Sequence, residues 1–317
     1  MIKEIEPGRN QKPVDFWDDI VYSKVKDDQG NNVELKLSIM DEEEHPRPIV
    51  ESSYYKNKDK DNFKRPVIVW VPGDGYRQTN NKDKDIGRTF YFARRGFVVV
   101  SVQYRSSSQS KWPAQVVDIK TAIRWIRKHA DDYQMDADHI GIMGRSAGSH
   151  LAAVIAMNEE DKFISDEYKD YSSEVQACID LFGPVNIQDL ILQSRKVVGT
   201  PGFRWQKMSD THEGALLGND PDNNPEKEWL LGYEASPVNY ISKKTAPILI
   251  MHGDKDPLVP VDVSKEFYQK LTKAGLEKQS YLYIIKNAGH GTPEFFQDKT
   301  MQIMTDFYEK YLGKPVK

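Results

Sequence analysis

From Pro66 to Lys286 the chain alternates short apolar runs with longer amphipathic stretches. The runs are PVIVWV, FVVVSVQY, HIGIMG, VQACIDLF, APILIMHG and QSYLYIIK; between most of them lie segments such as RTFYFARRG, PAQVVDIKTAIRWIRKHADDY and VPVDVSKEFYQKLTKAG. The runs are rich in β-branched and aromatic residues and are apolar throughout, which is the pattern of strands buried on both faces. Repeated strand and helix therefore predict an α/β fold, a mostly parallel central sheet with helices on both faces. Ahead of it, DIVYSKV and VELKLSIM alternate at period two around DDQGNN, which predicts an antiparallel hairpin. Residues 1–18 read as an N-terminal extension and residues 41–65 as a polar surface insertion. One stretch breaks the rhythm: residues 186–235 are too long for an ordinary connection and are expected to cover a site as a lid.

The 317 residues fit one large domain, 1–317, carrying these insertions. Net charge is −4, and Lys and Arg are scattered among Asp and Glu, so no basic stripe marks a nucleic-acid or membrane surface. No apolar run approaches the roughly 18 residues of a membrane span. The opening MIKEIEPGRNQKPVDFWDD has no apolar core of the signal-peptide kind, and a cytoplasmic location is expected. The single cysteine, Cys178, excludes an internal disulfide and lies in a strand-like run, where a buried inert thiol is expected.

The stretch GRSAGSH, residues 144–150, joins the strand-like HIGIM to the helix-like LAAVIAM with almost no connecting length. A serine there must adopt a strained backbone, and Gly144, Ala147 and Gly148 are small enough to let strand and helix nearly touch. That is a G-x-S-x-G elbow, which exposes the Ser146 hydroxyl at a helix N-terminus that favours developing negative charge.

In open parallel sheets reactive residues follow the carboxyl ends of strands. Two more sites do so: HGDKDPLVP brings Asp254 and Asp256, and KNAGHGTP brings His290. A serine nucleophile needs a base, and the imidazole needs an acceptor that fixes its tautomer. The chain order Ser, Asp, His supplies them. Of the other histidines, His150 is expected to pack into the elbow and His252 to be structural, while His45, His129, His139 and His212 lie in polar contexts. None sits at metal-ligand spacing from Asp or Glu, so neither a metal nor another cofactor is expected. Arg105 and Asp118 are expected to form a buried ion pair.

These phrases together, with PVIVWVPGDGY, VVVSVQYR, EGALLGN, EASPVNYI and NAGHG in order, make the chain resemble the α/β-hydrolase fold from about Asp19 to Tyr311. Within it the chain is similar to carboxylesterases of the hormone-sensitive-lipase-like and bacterial feruloyl-esterase-like group. The resemblance implies Ser146 as nucleophile, His290 as base and Asp256, rather than Asp254, as the triad acid, because the family places its acid three residues after the glycine of HG. It also implies an oxyanion hole from the N–H groups of Ala147 and of a loop that here reads Pro72-Gly73-Asp74-Gly75-Tyr76, with Asp74 and Gly75 as donors. Asp74 departs from the family's glycine-rich loop, and its carboxylate is expected to turn aside toward its own turn or toward Arg145.

The function this implies is hydrolysis of small carboxylic esters through an acyl-enzyme, with short-chain acyl, acetylated sugar and hydroxycinnamoyl esters as candidates. Phe203, Trp205 and Trp229 of the long segment are candidate pocket walls. A prolyl-oligopeptidase-like peptidase is the first alternative, although about 65 residues ahead of PVIVWV are too few for a β-propeller. A non-catalytic ligand-binding module on the same fold is the second. Expected partners are a small-molecule ester and a second copy of the chain, with no nucleic acid and no membrane.

Overall fold

The period-two runs at the start of the chain become β1 (Val14–Lys26) and β2 (Asn32–Glu42), an antiparallel pair with Ser23 opposite Leu35 and Val25 opposite Val33. β1 begins at Val14, inside the stretch expected to be an extension. The computed structural model describes residues 13–42, 64–78, 82–218 and 220–315; most of the polar insertion 41–65 lies outside the described residues. The six apolar runs form β3 (Arg65–Val71), β4 (Val98–Val102), β5 (Met135–Arg145), β6 (Ala177–Leu181), β7 (Ile248–Gly253) and β8 (Ser280–Ile285). All belong to one eight-stranded sheet ordered β1-β2-β4-β3-β5-β6-β7-β8. β2 meets β4 antiparallel, and every pairing from β4 to β8 is parallel.

Alternate residues of the parallel strands feed two separate cores, as strand geometry requires. Val67, Val69 and Val71 face α2 (Ala114–Lys128), α3 (Ala147–Ala156) and α7 (Val261–Lys273). Ile68 and Trp70 face α1 (Ile86–Ala93) and the C-terminal α8 (Asp298–Leu312). The long segment folds as α4 (Ile187–Val197), α5 (His212–Leu217) and α6 (Pro225–Glu234). Asn186, Thr211 and Asn224 start these helices, each accepting a backbone N–H three residues on, which places each break in the apolar rhythm at a capping side chain.

Arg105 pairs with Asp118 at 2.7 Å with both largely buried, and Cys178 is fully buried, its thiol pKa pushed up by that burial. Among the described residues, no helix is long and apolar enough to cross a membrane. With six strands parallel in succession from β4 to β8, the loops after β3, β5, β7 and β8 open on one edge. That edge carries the site.

Candidate active site

Strand β5 ends at Arg145 and α3 starts at Ala147, so one residue makes the whole turn. That residue is Ser146, with φ 53° and ψ −124°. Such a backbone costs about 1–3 kcal/mol and persists only where its surroundings hold it. Ser146 N donates to Leu181 O at 2.9 Å, and Ser146 O accepts from His150 N at 3.1 Å. The flanking glycines are demanded by contact: a Cβ on Gly144 would lie 2.4 Å from the Gly148 carbonyl, and one on Gly148 would lie 2.1 Å from Val71 O.

The structure brings Ser146, His290 and Asp256 together across 144 and 34 residues of chain. Ser146 Oγ lies 2.8 Å from His290 Nε2, and His290 Nδ1 lies 2.7 Å from Asp256 Oδ2. Oδ1 of Asp256 accepts from the N–H groups of Leu258 and Val259 at 2.8 and 3.0 Å. Burial opposes ionisation of Asp256, but hydrogen bonds from His252 and His290 outweigh it and hold the carboxyl well below the usual carboxylate range. An ionised carboxylate only accepts, so Nδ1 of His290 carries the proton and Nε2 presents a lone pair to the serine hydroxyl. Asp254, two residues away, is occupied elsewhere: it accepts from Asn287 N at 2.6 Å and lies 3.5 Å from Lys286 Nζ. His252 is fully buried, bonded to Ser264 Oγ at 2.6 Å and to Val259 O at 2.9 Å.

The loop after β3 runs directly against the elbow, since a Cβ on Gly73 would be 2.5 Å from Arg145 O and 3.3 Å from Ser146 Cβ. Asp74, Gly75 and Tyr76 all have positive φ, 89°, 61° and 65°. Three such residues in succession need outside anchors. Asp74 turns its carboxylate to Arg145 Nη2 at 3.3 Å and, unexpectedly, to Lys84 Nζ at 2.7 Å. Arg145 is itself fixed by Asp85 at 2.6 Å. Tyr76 Oη lies 3.0 Å from His150 Nδ1, and His150 Nε2 lies 2.6 Å from Ala235 O. A carbonyl only accepts, so Nε2 donates to it and Nδ1 accepts from the Tyr76 hydroxyl. His150 is thus more than packing: it ties the loop to α3 and to the end of α6.

Burial pushes His150 down to about 4. Between that value and its ordinary 6.5, the unfolded chain binds more protons than the folded one. The His150 contribution to stability is therefore complete above the ordinary value and is lost as pH falls toward the folded one, roughly 3 kcal/mol in all. In urea titrations near neutrality and near pH ~4.5, the wild type is expected to lose more stability on acidification than His150→Gln does, by about 2 kcal/mol. An identical drop in both would mean that His150 is not held neutral by its burial.

A cavity of about 390 Å³ opens beside Ser146, Ala147, Gly75 and His290. Its far wall comes from the long segment, and Phe203 and Trp205 are part of it as expected, their rings edge to face at 5.7 Å. Trp229 is not. On α6 the residues turned inward are Glu228 and Gly232, the latter so close to α4 that a Cβ would lie 2.7 Å from Ile191 Cδ1. One helical step of about 100° from Glu228 carries Trp229 outward, where it is 40 % exposed.

Sequence reasoning passed over His212, which lines the cavity with its ring 4.9 Å from Trp205 and its Nδ1 against Gly75, where a Cβ would approach to 2.2 Å. Burial, with the nearby Arg77 and Arg204 charges, brings it down to about 4, so the ring is neutral at neutral pH. Its one sequence signal was membership of the over-long segment. His129 and His139 pair at the surface with Asp132 and Asp136, and His45 lies outside the described residues. Among the described residues no group of three or more His, Cys, Asp or Glu side chains is placed to hold a metal ion.

A parallel sheet carrying a serine elbow after β5, with acid and histidine arriving from the ends of β7 and β8, defines an α/β-hydrolase. A truncated carbohydrate esterase from gut microbiota shares the architecture at a TM-score of 0.71 and 26 % identity, over 97 % of this chain and 99 % of that one. Residues 53–271 match the BD-FAE family, and the chain belongs to it. Esterase LipQ of Mycobacterium tuberculosis is 31 % identical over 71 % of this chain and 50 % of its own length. Thermogutta terrifontis esterase 2, in a form phosphorylated by paraoxon, matches at a TM-score of 0.66 and 26 % identity over 98 % of each chain. The chain spans about half the length of curated relatives such as LipQ.

Proposed function

We propose that the protein hydrolyses small carboxylic esters through an acyl-enzyme formed on Ser146. The observation that carries this reading is the continuous relay from Ser146 Oγ through His290 to Asp256, at 2.8 and 2.7 Å, on a strained elbow beside the cavity. His290 Nε2 takes the hydroxyl proton as Oγ attacks the ester carbonyl, then returns it to the departing alcohol. Asp256 holds the imidazole in the accepting tautomer and stabilises the imidazolium. Water then attacks the acyl-Ser146 carbonyl with the same base, and the serine leaves with the proton. The developing oxyanion faces the N–H of Ala147 and those of the Asp74–Gly75 loop, at a helix N-terminus.

Three further points support the reading. LipQ is called an esterase, the gut structure a carbohydrate esterase, and the T. terrifontis esterase takes up a phosphoryl group from an organophosphate. The cavity of about 390 Å³ is lined beside the serine by Leu190, Val197, Phe203 and Trp205, side chains suited to the apolar part of a small ester. The Asp74 carboxylate is paired with two cations, Lys84 and Arg145, which offset its charge beside the oxyanion loop. The test is turnover of aryl esters of rising chain length, an acetylated sugar and methyl ferulate by the wild type and by Ser146→Ala. Hydrolysis of a peptide anilide but of no ester would replace the proposal with the peptidase reading.

Pairing of Asp74 also makes a prediction. Asp74→Ala releases Lys84 and one side of Arg145, loosening a loop whose conformation is strained, so donors that act in the transition state lose alignment. kcat is expected to fall about tenfold with KM little changed, because ground-state contacts are untouched. A marked rise in kcat would mean that the carboxylate opposes the oxyanion.

A further inference from the structure

The cavity wall contains an acidic side chain the mechanism does not use. Glu213, the second residue of α5, lines the same cavity as Ser146 and His290 yet is 1 % exposed. Its Oε1 is buried without a hydrogen-bond partner among the described residues. Hydroxyls of Ser194 and Thr211 approach the carboxylate, but no cation does: Arg195 is committed to Glu228 and to Pro221 O. A buried acceptor left without a donor costs about 1–3 kcal/mol, a cost that a bound ligand with a suitable donor removes.

Resting on the esterase reading above, we infer that Glu213 forms a subsite that accepts a hydrogen bond from a free hydroxyl group elsewhere on the ester. The chemistry selects a neutral donor. A carboxylate or phosphate would meet the acidic Glu213 with a second acid, Glu228, close enough to act on it. An ammonium would meet Arg204, which lines the same cavity and, with Arg77, already makes the surroundings of His212 positive. A hydroxyl carries no charge to oppose either, donates to Oε1, and can accept in turn from the amide of Gln193, which also lines the cavity. Sites built around such a contact discriminate strongly against analogues that lack the donor, because the buried acceptor is then left unpaired.

The experiment compares kcat/KM for three acetate esters with the wild type, Glu213→Gln and Glu213→Met: a methyl glycoside monoacetate bearing free hydroxyls, p-nitrophenyl acetate without any, and acetylcholine. The expected result is that the ratio of glycoside acetate to p-nitrophenyl acetate falls at least tenfold in Glu213→Met and less in Glu213→Gln, which keeps an acceptor oxygen. A parallel fall on all three esters would make Glu213 structural and overturn the inference. So would an unchanged ratio, a selective loss on acetylcholine, or no turnover of the glycoside acetate by the wild type. Should Glu213→Met fail to fold, the ratio in Glu213→Gln decides. Failure of the esterase reading is distinct, since the wild type would then hydrolyse p-nitrophenyl acetate no faster than Ser146→Ala.

Discussion

Ser146→Ala is expected to lower kcat by about 10⁴-fold or more on any ester the wild type turns over, while the thermal unfolding midpoint stays within a few degrees. The change removes only Oγ and its bond to His290. The elbow itself does not depend on the hydroxyl: Ser146 N still reaches Leu181 O, and alanine pays the same backbone strain at φ 53° as serine does. Residual turnover would come from substrate binding and the oxyanion donors alone. Circular dichroism and a melt run beside the assay separate loss of chemistry from loss of fold. Near-wild-type kcat in the folded variant would remove Ser146 as nucleophile.

The second large effect separates two aspartates that stand two residues apart. Asp256→Asn is expected to lower kcat by about 10³–10⁴-fold with KM little altered. Its amide can donate to His290 Nδ1, which drives the ring proton to Nε2 and leaves Ser146 facing a donor instead of a lone pair. Asp254→Asn loses only charge at a carboxylate that pins Asn287 N and lies near Lys286, so a change of severalfold at most is expected. Steady-state kinetics on one aryl ester measures both. Equal losses would mean that the acid has been assigned to the wrong side chain.

The β/α order, the elbow and the strand-end origins of Ser146, Asp256 and His290 were legible because each depends on local pattern: apolar runs, crowded glycines, residues just past a strand. The walls of the cavity were not. Trp229 and Trp205 both read as aromatic residues in a polar stretch, and only the rotation of α6 against Ile191 decides that one points away. Likewise His212 and His139 look alike in sequence, yet one lies over Gly75 and the other pairs with a surface aspartate. Which face a short helix presents depends on the partners it meets through tertiary packing, and a single sequence does not carry that information. Lys84 as the second partner of Asp74 was missed for the same reason, since it is ten residues distant and arrives from the approach to α1.

The origin of the cavity wall also bears on how such an enzyme changes its preferences. The reacting groups come from three strand-end loops, whereas much of the wall, from Leu190 to Glu213, is one uninterrupted stretch between β6 and α6. Selectivity can therefore be rewritten by exchanging a single cassette, leaving the reacting groups on their strands. The seam where graft and host must match is the contact of His212 with Gly75. A ring there forbids any side chain at 75, and the positive φ of 61° favours glycine in its own right. A donor cassette with a small residue at 212 relieves the steric half of that constraint, whereas one with a bulkier ring displaces the oxyanion loop. In laboratory evolution these two positions are expected to change as a pair.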